Sequence, residues 1–215
     1  MQIVKLNRAE YIDSVTKIEG FNSLKFSKQA LDYWDDFISW KNFPPLCMIN
    51  EKSEHLSYLF YTISKDKEYL TIHYLLTPQI HRKHNYAYDL LNYLFINNCH
   101  NKIKRFKLFS VVSSLGFYNK IGLEYWGVNK YMQFYCDFKM PKNDISEIKQ
   151  IVKDSSLNEI SDERLYKIYD KLKDNGKDFD EKEKYIFEEA LKKVDYRFHF
   201  DLLENKIKEL NYSSN

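Results

Sequence analysis

Three groups of side chains in this 215-residue chain have the types and spacing to do chemistry. The first is a basic run, His81, Arg82, Lys83 and His84, followed by Asn85, Tyr86 and Ala87. It separates an alternating segment at 69–76 from a helical stripe made of Ala87, Leu90, Leu91, Leu94 and Phe95. A basic turn between a strand and a helix is a place to hold a phosphate, because the free amides and partial positive charge of the helix start face it. The second is Tyr118, just after the next strand and four residues before Gly122, whose phenol can donate a proton. The third is His73, in the strand before the loop, with an intrinsic pKa suited to proton transfer near neutrality. On a half-buried strand a lone His also serves as a satisfied structural residue, and a Tyr as packing.

Hydrophobic periodicity places the elements that must position these groups. Residues 2–6 alternate and read as a short strand, after which Asn7 caps a helix over 8–18 with Tyr11, Val15 and Ile18 on one face. Ser27 caps a second helix over 27–40, carrying Ala30, Leu31, Trp34, Phe37 and Ile38, and Pro44-Pro45 ends that region. Strands are expected at 46–50, 56–64 and 69–76, with the charged intervals 51–54 and 65–67 as hairpin loops. Asn85 opens a helix to about Asn98. A strand at 106–112 leads to a short helix capped by Ser113 or Ser114, reaching Lys120 and stopped by Gly122. Strands at 123–127 and 130–138 follow, joined by a turn at Val128-Asn129.

Beyond Pro141 the pattern is helical and charged. Of the chain's 33 Lys/Arg and 31 Asp/Glu, residues 141–215 hold 15 and 18, so they carry −3 and residues 1–140 carry +5. Ile145, Ile148, Ile151 and Val152 fit one helix, and Leu165, Ile168, Tyr169 and Leu172 a second with Ser161 as cap. Gly176 breaks the pattern, and Asp180 caps a long helix with Phe187, Leu191, Val194, Phe198 and Leu202 along one face. Two parts are therefore expected: an α/β domain at 1–140 and an amphipathic helical extension at 141–215 that packs on the sheet, covers a cleft, makes a dimer or docks a partner.

Bulk composition excludes several classes. Hydrophobic content of 44% and charged content of 30% are ordinary for a soluble globular chain. A net charge of +2 is too weak for a nucleic-acid partner. Cys47, Cys99 and Cys136 are odd in number and widely spaced, which argues against a disulfide framework or a zinc site and for a reducing cytoplasm. No metal is expected. The N-terminus lacks the apolar core of a signal peptide, and no run approaches the roughly 20 apolar residues of a membrane span.

Two segments carry a family resemblance. Ser114-Leu115-Gly116-Phe117-Tyr118-Asn119-Lys120-Ile121-Gly122-Leu123-Glu124 resembles the Ala-x-x-Phe-Tyr-x-Lys-x-Gly-Phe-Glu segment of the GNAT acyltransferase superfamily. Arg82-Lys83-His84-Asn85-Tyr86-Ala87 resembles its Arg/Gln-x-x-Gly-x-Gly/Ala loop. The resemblance covers roughly residues 1–138, with specific motifs only at 70–132. Asn85 stands where the family has its first Gly, Lys83 where a second is frequent, and Val111 where an Asn often bonds the pantetheine arm.

The resemblance implies a GNAT fold of the α/β (α+β) class: a mixed, mostly antiparallel sheet of six to seven strands flanked by helices, here with the helical extension. It implies acetyl-CoA as cosubstrate, held by Leu75, Leu76 and Thr77 at the pantetheine arm and by Arg82, Lys83, His84, Asn85, Tyr86 and Ala87 at the pyrophosphate. The implied reaction is direct attack of a primary amine on the thioester, with Tyr118 next to the sulfur as general acid and His73, Glu68 or Glu124 as base. The acceptor is an amine of open identity, with no membrane partner, in a monomer or homodimer. Tyr33, Trp34, Trp40, Tyr125, Trp126 and Tyr131 include candidates for its pocket wall. A reading of another class stays open: a catalytically silent GNAT-fold protein that binds coenzyme A or a partner.

Overall fold

The computed structural model describes residues 1–19, 24–99, 103–174, 176–193 and 199–213. It divides into two compact units, Met1–Lys104 with Lys142–Asp144, and Arg105–Pro141 with Ile145–Asn215.

The first unit holds β1 (Gln2–Lys5), α1 (Arg8–Glu19), α2 (Ser27–Phe37), β2 (Leu46–Ile49), β3 (His55–Ile63), β4 (Tyr69–Leu76) and α3 (Tyr86–Asn98). The four strands pair in chain order, each antiparallel to the next. Asn7 caps α1 as expected, its Oδ1 accepting from the Glu10 amide at 3.0 Å while Glu10 Oε2 accepts from the Asn7 amide at 2.8 Å, a reciprocal capping box. Ser27 does not cap α2. It is buried inside the helix, and Phe26, in a left-handed conformation, precedes it. The helix also stops at Phe37 short of the expected Trp40.

Aromatic side chains build this core. Tyr11 of α1 sets its ring edge against Phe60 (5.0 Å) and Tyr58 (5.6 Å) of β3, and Trp34 of α2 meets Phe60 at 4.9 Å. The polar tips find partners: Tyr11 Oη donates to Ser27 O, and Trp34 Nε1 to Phe43 O. Helix α3 packs against β2 and β3 through Leu90, Leu91, Leu94 and Phe95. Strand β3 is buried without alternation from Leu56 to Phe60, which is the pattern of a strand covered on both faces.

The second unit holds β5 (Arg105–Val111), α4 (Leu115–Ile121), β6 (Gly127–Val128), β7 (Gln133–Lys139), α5 (Ile148–Lys153), α6 (Asp162–Leu172), α7 (Glu181–Lys193) and α8 (Phe200–Ser213). Strand β7 pairs antiparallel with β5 on one side and β6 on the other. The expected strand at 123–127 contracts to the two residues of β6, and its hairpin turn falls later than expected, where Asn129 Oδ1 accepts from the Tyr131 and Gln133 amides. Neither serine caps α4 through its side chain as expected; a 3-10 turn over Val112–Ser114 runs straight into the helix.

Residues of the helical region bury the faces that periodicity predicts: Ile148 and Val152 in α5, and Leu165, Ile168 and Leu172 in α6. Asp180 and Glu183 form a second capping box, at 2.7 and 3.1 Å. The long helix expected after it is two helices. His199 lies in neither, and its amide donates to Tyr125 O at 3.1 Å, so a backbone bond to another segment interrupts the helical ladder. Phe187 stacks on Phe134 at 5.7 Å, Leu202 is exposed, and Val194 and Phe198 lie outside the described residues. No helix among the described residues is long and apolar enough to cross a membrane.

Gly122 closes α4 at φ 99°, its amide bonding Asn119 O and Tyr118 O. A Cβ there would also sit 2.3 Å from Lys149 Cγ and 3.3 Å from its Cα, so α5 approaches the turn as closely as glycine permits. Gly122→Ala is expected to cost about 2–4 kcal/mol, combining left-handed strain with overpacking, read from urea unfolding. A cost below about 0.5 kcal/mol would show that neither constraint operates.

Candidate functional site

The loop after β4 is built from an unusual pair of backbone angles. A 3-10 turn over Gln79–His81 ends with the Arg82 amide on Gln79 O. Lys83 (φ 68°) and Asn85 (φ 64°) then both take left-handed conformations. These are the positions where the related loop has glycine. The chain keeps the glycine backbone with residues that pay strain for it, Asn less than Lys because a short amide side chain tolerates this region. Alternation of left-handed and ordinary residues turns successive N–H groups toward a common side, as an anion requires.

Helix α3 continues the arrangement. Its first internal bond runs from the Asp89 amide to Asn85 O, and helix geometry leaves the amides of Tyr86, Ala87 and Tyr88 without an acceptor in the helix. Arg82, Lys83 and His84 are exposed, while Tyr86 and Ala87 are half-buried. The His84 ring stacks on Tyr86 at 5.5 Å, and His81 meets the same ring at 6.4 Å. Arg82 Nε donates to Thr77 O at 3.2 Å, tying the loop back to the end of β4. Ser57 Oγ donates to Leu76 O at 3.2 Å and lies 2.9 Å from Thr77 Oγ1, so with Arg82 on Thr77 O the carbonyls of Leu76 and Thr77 both have partners. Leu75 is half-buried beside them.

Asn85→Gly is expected to leave unfolding stability within about 0.5 kcal/mol, whereas Asn85→Val should lose about 1–2 kcal/mol because a β-branched residue resists positive φ. Equal stability of the two variants in thermal unfolding would mean that the left-handed backbone at this position is not held.

His73 occupies a β-bulge. Phe60 pairs with Tyr74 and Tyr61 with Ile72, so His73 is the extra residue on β4. A bulge re-aims its side chain. Here Nε2 comes to 2.8 Å from Thr62 Oγ1, and the ring lies 5.4 Å from both Tyr33 and Trp34 of α2. Tyr33 extends this aromatic group to Phe37 at 5.3 Å, and Phe37 is 72% exposed. Glu68, the second candidate base, is in an ion pair with Lys104 at 2.5 Å near the hairpin turn. The bulge and Thr62 were not legible in the sequence, because alternation alone sets a continuous register.

Tyr118 belongs to the second unit. With Leu115 and Ile121 it forms the buried face of α4, at helical spacing, whereas Phe117 is only half-buried. Leu123 is buried. Burial pushes the Tyr118 phenol above its ordinary pKa, with the Cys136 thiol adding to the shift, so it keeps its proton throughout the neutral range. Glu124, the third candidate base, contacts His199 Nε2 at 2.7 Å, a partner 75 residues away that periodicity could not supply. Among the described residues no cluster of His, Cys, Asp and Glu could hold a metal.

No protein-family model matches the sequence, and no curated protein matches it. Solved structures do. PaiA N-acetyltransferase from Thermoplasma acidophilum, in complex with coenzyme A, aligns with a TM-score of 0.50 over 63% of this chain and 96% of its own, at 11% identity. An aminoglycoside 6′-acetyltransferase of type Ii gives 0.49 over 66% and 98%, at 14% identity. Naa20 of Chaetomium thermophilum, in complex with a bisubstrate analogue, gives 0.48 over 73% and 94%, at 11% identity. The chain has the GNAT fold. Seven strands among the described residues, with flanking helices and further C-terminal helices, are the α/β architecture expected from the sequence.

Proposed function

We propose that the protein is an acetyl-CoA-dependent N-acetyltransferase that moves the acetyl group to a primary amine by direct attack. The observation that carries this reading is the loop at 82–87, where Lys83 and Asn85 hold the backbone angles of glycine at the start of α3. PaiA, which shares the fold, holds coenzyme A. Residues 1–140 would form the transferase domain and 141–215 its helical extension, in a cytoplasmic protein with three free cysteines.

Roles follow from chemistry. Arg82, Lys83, His84 and the amides at the start of α3 hold the pyrophosphate, and Leu75, Leu76 and Thr77 take the pantetheine arm. His73, aimed by the bulge and held by Thr62, removes a proton from the incoming ammonium. Its aromatic surroundings, with the exposed face of Phe37, favour an amine on an apolar or aromatic body. The amine attacks the thioester carbonyl, the tetrahedral oxyanion collapses to the amide, the departing thiolate takes the phenolic proton of Tyr118, and the second proton lost from the nitrogen restores the phenol.

Acetyl-CoA at about 100 times its Kd is expected to raise unfolding stability by about 2.7 kcal/mol. Arg82→Gln/Lys83→Gln should reduce that shift. No shift at millimolar acetyl-CoA would sink the cosubstrate assignment. A screen of amines with thiol release as readout then identifies the acceptor.

A further inference from the structure

A cavity in the second unit is lined by none of the residues given a role in the proposed transfer step. It has a volume of about 930 Å³ and is walled by the end of α4, by α5 with the loop after it, and by α8. That is the size of a site for a nucleotide or a cofactor fragment. Its walls are supplied largely by the helical region beyond residue 141.

Charge selects the ligand. Lys149, Lys153 and Lys206 line the cavity, against two carboxylates, Glu124 and Glu209. Both carboxylates already have partners: Glu124 meets His199 Nε2 at 2.7 Å, and Glu209 meets Lys206 Nζ at 3.4 Å. Lys149 and Lys153 stand in no ion pair among the described residues. They are one turn apart on α5, so their ammonium groups can converge on one anion. The stem of Lys149 is held in place, because it packs on Gly122 at the distance only glycine allows.

Shape adds to charge. The Glu124–His199 pair is about a quarter exposed, at 24% and 25%, so it presents an ordered polar edge to the cavity. The His199 ring is braced by Trp126 at 5.3 Å and its amide by Tyr125 O. Asn119 and Asn205 bring amide groups for hydroxyls, and Leu202, 58% exposed, brings an apolar surface for a ring.

We propose that this groove binds a phosphorylated small molecule of nucleotide size, its phosphate between Lys149 and Lys153. The site is independent of the acetyl-transfer reading. Lysines act on phosphate as point charges, so binding should weaken as salt rises.

The test is calorimetric titration of the full chain with AMP, adenosine and inorganic phosphate, each with and without saturating coenzyme A. AMP is expected to bind with a Kd below about 1 mM, and adenosine at least about tenfold more weakly. Lys149→Gln/Lys153→Gln should weaken AMP about tenfold or more while leaving the melting temperature unchanged, since glutamine keeps the stem over Gly122. Arg82→Gln/Lys83→Gln and coenzyme A should both leave AMP binding as it was. Four results would overturn the proposal: no AMP binding at about 10 mM, undiminished binding in the α5 double variant, displacement by coenzyme A, or phosphate binding as tightly as AMP. Displacement by coenzyme A together with loss in the Arg82/Lys83 variant would assign AMP to the cofactor loop instead.

Discussion

Asp137→Ala is expected to remove on the order of 3–5 kcal/mol of stability, a large part of what a domain has to lose. Asp137 is fully buried in β7. Its Oδ1 accepts from Arg105 Nε at 2.7 Å; its Oδ2 accepts from Tyr135 Oη at 2.9 Å and pairs with Arg164 Nη2 at 3.3 Å. Its backbone oxygen takes Trp126 Nε1 and Arg105 Nη2, each at 3.0 Å. Removing the carboxylate leaves Arg105, 7% exposed, as an uncompensated buried charge, and Arg164 loses the same partner. That residual charge, more than the lost bonds, sets the cost. Asp137→Asn retains shape but not charge and should fall between. Urea unfolding decides it, and an alanine variant within about 1 kcal/mol of wild type would refute the account. The network also ties the helical region to the strands, because Arg164 is in α6 and Arg105 in β5.

Tyr118→Phe should lower kcat by about 100-fold or more while leaving acetyl-CoA affinity close to wild type. The substitution removes one oxygen and keeps the packing face that Leu115 and Ile121 share. The pH profile gives an independent check. Burial raises the phenol above its ordinary value of about 10, so its acid form persists and wild-type turnover should show no falling limb from this group below about pH 10. A wild-type kcat in the phenylalanine variant would remove Tyr118 from the chemistry and leave it as a core residue.

Local features were legible in the sequence because neighbours along the chain determine them. The caps at Asn7 and Asp180, the apolar stripe of α3 and the stop at Gly122 depend on residues within a turn or two. The motif around Tyr118 was readable for the same reason. The expected caps at Ser27 and Ser113/Ser114 failed where tertiary packing claimed the segment: Ser27 is buried in α2, and a 3-10 turn carries the chain from β5 into α4.

The amino-acid sequence by itself determined the α/β class, the order of strands and helices, and the basic loop ahead of α3. Tertiary structure decided what those residues face. It put His73 on a bulge against Thr62, closed α5 on Gly122, gathered Asp137 with two arginines from distant elements, and brought His199 to Glu124. Periodicity reports which side of an element is apolar. Register, bulges and long-range ion pairs are set by packing between elements, which no local pattern encodes.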